Sequence, residues 1–244
     1  MATAAELVEK LGVECKTFVS HGGGALSYCR KIAGKKTPGK KLPVCLFLHG
    51  AGERGNGNNN GIQLIHGAQD ILSFGEEESG GLLFLAPQCP AEKMWIKAPW
   101  SLTEHHMEES PTKELALALE LLEKEIEENG GDRERIYISG ISMGGFGTWD
   151  ALCRKKDYFA SALICCGGGD ARQAPDLTDL PIYVFHGSAD TTVLPCRSRD
   201  MVDAIRAAGG KLVRYREYEG VGHNCWTQTY ADRAVLKEFF SHKR

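Results

Sequence analysis

No run of roughly 18 consecutive apolar residues occurs in the sequence, so a bilayer-crossing helix is not expected. The opening stretch, MATAAELVEKLGVEC, interleaves Glu and Lys with its apolar positions and so lacks the uncharged core of an export signal. The final SHKR matches no lipidation or retention signal. An excess of one charge is missing as well: 29 Lys and Arg stand against 32 Asp and Glu, a formal charge of -3. Neither nucleic acid nor a membrane surface is therefore expected as a partner. The cysteines, odd in number and scattered from Cys15 to Cys225, do not form the dense framework of a small secreted domain. Reduced thiols in a cytoplasmic protein are the expectation, with secretion the alternative if a signal has been removed. No repeat at a period of roughly 20 to 50 residues and no Pro-, Gly- or Ser-rich linker divides the chain, so residues 1–244 read as one domain. A homodimer stays open.

What is present alternates. Short apolar runs at 42–48 (LPVCLFL), 81–86, 135–139, 160–166 and 181–185, with a weaker one at 212–217, have the length and Leu, β-branched or aromatic content of buried strands. Between them fall helical patterns at 112–129, 146–156, 195–208 and 226–241; in the first, Leu115, Leu119, Leu122 and Ile126 recur every three or four residues. Alternation of this kind predicts an α/β fold with a mostly parallel central sheet and helices on both faces. His21 to Ile32 and the Pro38-Gly39 turn are expected to add antiparallel edge strands, and Lys35, Lys36, Lys40 and Lys41 to decorate a solvated hairpin tip. Two long segments, 53–80 and 87–111, fit no element and read as loops bordering a site.

Gly140-Ile141-Ser142-Met143-Gly144 follows a strand run and precedes a helical one. A turn that sharp needs small residues two before and two after the serine, and it sets the hydroxyl at a helix N-terminus. A plain helix cap would explain the serine but not both glycines. A serine hydroxyl needs a base and an orienting acid, and in such hydrolases the order is Ser, Asp or Glu, then His. Downstream lie His186, His223 and His242. His242 falls in a polar tail expected to fray, and His186 closes a strand and is expected to pack beneath the next loop. His223, in the glycine-flanked loop EGVGHNCW, is the better base. Asp190 in HGSADTTV is the acid of choice, with Asp170 after ICCGGG as the alternative. Two backbone N–H donors should complete the site, from Met143 and, in HGAGERG, from Ala51; His49 reads as a brace and Glu53 with Arg54 as a pair holding that loop.

At these residues the chain resembles the α/β-hydrolase superfamily, and more narrowly its small carboxylesterase and predicted-peptidase group, which includes polyhydroxybutyrate depolymerase-like and feruloyl-esterase-like proteins. HGAGERG at 49–55, APQCP at 86–90 with Trp95, GISMGGFGTW at 140–149, FHGSAD at 185–190 and GVGH at 220–223 carry the likeness. It implies a triad of Ser142, Asp190 and His223, oxyanion donors at Ala51 and Met143, a small-molecule ester substrate, and neither metal nor organic cofactor. The short interval between Cys166 and Pro181 leaves no room for a large cap domain. Trp95 and Trp226 are expected to line the substrate cleft. Glu104-His105-His106 reads as a polar loop rather than a metal cluster, because adjacent histidines diverge on any regular backbone.

Overall fold

The computed structural model describes residues 2–35, 38–55, 58–78 and 80–244. Each apolar run becomes a strand because alternate side chains enter opposite cores. In β3 (Leu42–Leu48), Val44, Leu46 and Leu48 join one hydrophobic cluster while Cys45 and Phe47 join the other. The remaining strands are β1 (Glu14–Val19), β2 (Ala25–Ala33), β4 (Leu82–Gln88), β5 (Gly131–Ile141), β6 (Ser161–Cys165), β7 (Ile182–Gly187) and β8 (Val213–Tyr218). They form one sheet in the order β1-β2-β4-β3-β5-β6-β7-β8. β1 and β2 are antiparallel to their neighbours, and β4 through β8 run parallel. Because β4 separates β2 from β3, the Pro38-Gly39 turn joins strands that do not pair and is not a hairpin tip. Lys36 and part of GNGNNNG lie outside the described residues.

The helices are α1 (Ala4–Leu11), α2 (Ala68–Glu77), α3 (Lys113–Asn129), α4 (Met143–Arg154), α5 (Cys196–Ala207), α6 (Trp226–Ala231) and α7 (Arg233–Phe239). Leu115, Ala118, Leu122 and Ile126 of α3 pack on one sheet face with Trp149 of α4 and Val202 of α5. On the other face Leu7 and Leu11 of α1 join Ile71 and Phe74 of α2, Tyr230 of α6 and Phe239 of α7. Burying each such large side chain contributes about 1.5–3 kcal/mol, so both layers are needed. No helix among the described residues is long and apolar enough to cross a membrane.

Three expectations need correction. α2 lies within the 53–80 segment read as loop; Gly67 precedes it in the left-handed region and no side chain caps it, so its start carries no sequence signal. α1, which the sequence reading omits, starts with a capping box in which Thr3 and Glu6 bond each other's backbone N–H. The 226–241 helix breaks at Asp232, whose extended backbone and side-chain acceptance from the Ala234 N–H make it a cap. Between β6 and β7 only a short helical turn, Ala171–Leu177, intervenes, so no cap domain is inserted between these two strands. β3 sits between β4 and β5, and strand order reverses there, the place where open α/β sheets leave a crevice.

Candidate active site

Ser142 joins β5 to α4 with φ 52° and ψ −120°, a backbone state that costs an L-residue on the order of 1–3 kcal/mol. The surroundings hold it there: Ser142 N–H donates to Cys165 O (2.9 Å), and its carbonyl accepts from Phe146 N–H (3.1 Å). The packing explains both glycines of the pentapeptide. A Cβ at Gly140 would overlap the Gly144 carbonyl, and one at Gly144 would overlap the Leu48 carbonyl. The hydroxyl makes no cap bond to its own helix and faces His223 instead.

His223 comes from the loop between β8 and α6. Its Nε2 lies 2.9 Å from Ser142 Oγ, and its Nδ1 lies 2.7 Å from Asp190 Oδ2. Asp190, in the turn after β7, accepts at Oδ1 from the N–H groups of Thr192 (2.8 Å) and Val193 (3.0 Å). A contact not legible in the sequence adds to this: His186 Nε2–H donates to Val193 O (2.9 Å) and lies 3.2 Å from Asp190 Oδ2. Its Nδ1 stands 2.8 Å from Ser198 Oγ of α5. Burial alone would raise the Asp190 carboxyl, but hydrogen bonds from His186, His223 and the Val193 N–H outweigh it and hold it well below the usual carboxylate range. The acid therefore stays ionised, and His223 Nδ1 keeps its proton toward it, leaving the Nε2 lone pair for the serine.

The loop after β3 runs beside the elbow: a Cβ at Gly50 would stand 3.6 Å from Ser142 Cβ. His49 braces it. Its Nδ1–H donates to Gly50 O (2.6 Å) and its Nε2 accepts from Cys89 N–H (2.9 Å). Burial pulls this imidazole down to about 4, so it is neutral and works as a strut. Glu53 and Arg54 do not pair. Arg54 Nε–H donates to Ala51 O (2.9 Å), while Glu53 Oε1 stands 3.8 Å from His66 Nε2. Ala51 opens the helical turn 51–53 and Met143 opens α4, positions whose N–H groups have no partner within the helix.

The two tryptophans part company. Trp95 is fully buried, donates to His49 O (3.1 Å) and sits edge-on to the His49 ring, so it supports the loop from below and offers no face to a substrate. Trp226 stands edge-on to His223 with ring centroids 5.3 Å apart, at the rim of the site. Asp170 is engaged elsewhere, by Arg172 Nη2 (2.6 Å) and the Met107 N–H (2.9 Å). His242 is docked rather than frayed: its Nε2 is 2.7 Å from the Tyr183 hydroxyl, and the Tyr137 hydroxyl donates to its carbonyl. Cys166, Asp190 and His223 bring three potential metal ligand atoms within 4.8 Å of one another. Both nitrogens of His223 already face Asp190 and Ser142, and burial pushes the Cys166 thiol well up, so the set is a poor cation site.

No protein-family profile matches the chain, and no curated protein does. Solved structures do. A thermostable esterase superposes with a TM-score of 0.85 at 32% identity, over 98% of this chain and 64% of that one. A ferulic acid esterase follows at 0.68 and 19% identity, over 93% of this chain and 98% of that one. An acylaminoacyl peptidase of Pyrococcus horikoshii gives 0.65 and 17%, over 93% of this chain and 40% of that one. The chain has the α/β-hydrolase fold. The solved structures that share this fold include esterases and peptidases, and the chain spans 64% of the thermostable esterase it resembles.

Proposed function

We propose that the protein is a serine hydrolase of carboxylic esters, acting through an acyl-enzyme on Ser142. The observation that carries this reading is the unbroken chain from Ser142 Oγ to His223 Nε2 (2.9 Å) and from His223 Nδ1 to Asp190 (2.7 Å). Ser142 attacks the acyl carbon while His223 Nε2 takes its proton; the resulting imidazolium faces the ionised Asp190. Negative charge gathering on the acyl oxygen is met by the N–H groups of Ala51 and Met143, the latter at the positive end of α4. His223 returns the proton to the departing alcohol. It then draws a proton from water, which attacks the acyl carbon, and passes that proton to Ser142 Oγ as the Oγ–acyl bond breaks and the acid departs. Trp226, beside the imidazole, forms one wall for the substrate. No metal or organic cofactor enters these steps.

Ester substrates are favoured over amides because the relative at 32% identity is an esterase and the ferulic acid esterase is matched along 98% of its length. A peptidase is the second reading, favoured by the acylaminoacyl peptidases among the similar structures. Turnover of p-nitrophenyl acetate, a longer acyl ester, methyl ferulate and an aminopeptidase anilide by the wild type and Ser142→Ala separates them. Ester turnover abolished in the variant supports the reading. Equal turnover by both proteins rejects Ser142, and a preference for the anilide makes it a peptidase.

A further inference from the structure

Arg197, in the first turn of α5, is 2% exposed although a guanidinium is among the costliest groups to bury. Its surroundings answer only part of it. Nη2 faces His105 Nδ1, and Cζ lies 5.2 Å from the centroid of the Phe146 ring. Nε and Nη1, both buried, meet no acceptor among the described residues. The carboxylates of Asp200 and Glu104 act on its charge only through space, and no ion pair joins it to a carboxylate among the described residues. A permanently charged fork with two idle donors is the side chain expected opposite an anion.

Its position is beside the reaction centre. A Cβ at Gly168 would stand 2.5 Å from Arg197 Nε, and Ser198, the next residue, donates to Gly167 O (3.0 Å). Gly167 in turn packs against Gly145, in the first turn after Ser142: a Cβ at Gly145 would lie 3.0 Å from its Cα. One glycine loop thus separates the guanidinium from the elbow. His105 covers it from an irregular segment, with exposed Glu104 and His106 on either side. Burial, with the Arg197 charge adding to it, pulls His105 down to about 4, so its Nδ1 is a neutral acceptor that an ionised ligand can outcompete. Moving it away frees Nη2, which with Nε or Nη1 makes a two-donor fork.

We propose that Arg197 receives a carboxylate carried by the substrate, displacing His105, so that the preferred esters are those of acids or alcohols bearing a free carboxylate. This rests on the serine-hydrolase reading. The test compares p-nitrophenyl hydrogen glutarate with the neutral p-nitrophenyl pentanoate. In Arg197→Met the ratio of kcat/KM for the charged over the neutral ester falls at least about tenfold, mostly through KM, as expected for one lost charge-assisted fork. His105→Ala, which removes the competitor, raises the same ratio. Calorimetry with glutarate on Ser142→Ala, with and without Arg197→Met, reads binding independently of turnover, and Arg197→Lys serves if the Met variant does not fold. An unchanged ratio in the Arg197 variants, or glutarate binding that ignores Arg197, overturns the proposal. Hydrolysis of the neutral ester by wild type but not by Ser142→Ala would leave the hydrolase reading standing in that event. Failure of both esters with Arg197-dependent glutarate binding would instead keep the site and sink the hydrolase.

Discussion

Beside Ser142, His49 spends one ring nitrogen on Gly50 O and the other on the Cys89 N–H, and Trp95 its indole N–H on His49 O, whereas on the α5 side two Arg197 donors meet no acceptor among the described residues. Another unmatched atom lies at the rim: Trp226 Nε1 is also buried without a partner among the described residues. A matched floor fixes geometry, and it can be lost only by breaking bonds that nothing replaces. Unmatched groups at the rim cost stability in the resting protein and regain it when a ligand supplies the missing atoms. On the proposed reading, the contrast separates the part of the site that holds the reacting groups in place from the part that would choose the substrate.

The comparison can be broken at several points. Ser142→Ala is expected to lower p-nitrophenyl acetate turnover by on the order of 10⁵-fold while leaving circular dichroism unchanged; residual activity within about tenfold of wild type would contradict the proposed chemistry. Asp190→Asn should cost about 10⁴-fold in kcat, because the amide no longer selects the Nδ1–H form of His223. On the floor, Trp95→Ala should remove about 3–5 kcal/mol in urea unfolding, and a loss below about 1 kcal/mol would mean that the ring is no support.

His49 gives a pH signature. Its folded value is about 4 against an ordinary value of 6.5, so between those limits the unfolded chain binds a proton that the folded one refuses. Stability must therefore fall as pH drops through that window, by up to about 1.4 kcal/mol per pH unit. His49→Gln should flatten that slope, and parallel curves for the two proteins would refute the assignment. At the rim, His106→Ala should change stability by no more than about 0.5 kcal/mol, since the ring is largely exposed and 3.8 Å from Asp170.

The parallel half of the sheet was legible because a strand buried on both faces is an unbroken apolar run, as at Leu42–Leu48. β1 was not, since its burial is confined to Phe18 and its remaining residues resemble any polar segment. α2 hid inside a glycine- and asparagine-rich stretch for want of a cap. In the site, strand-end logic brought Ser142, Asp190 and His223 forward but left Asp170 as a rival; the two are separated only in three dimensions, by the His223 contact with Asp190 and by the engagement of Asp170 with Arg172 and the Met107 N–H. Trp95 misled because aromatic residues in loops look alike whether they face outward or inward. The His186 contact with Asp190 and the burial of Arg197 under His105, 92 residues away in the chain, have no local signature at all.

The carboxylate of Asp190 ties together segments that would otherwise open separately: the amides of Thr192 and Val193, His223 from the loop after β8, and, through His186 and Ser198, the first turn of α5. Local fraying at this corner would have to release all of them together. Deuterium uptake at Thr192 and Val193 should accordingly be slow for a surface turn, with protection approaching that of the central strands.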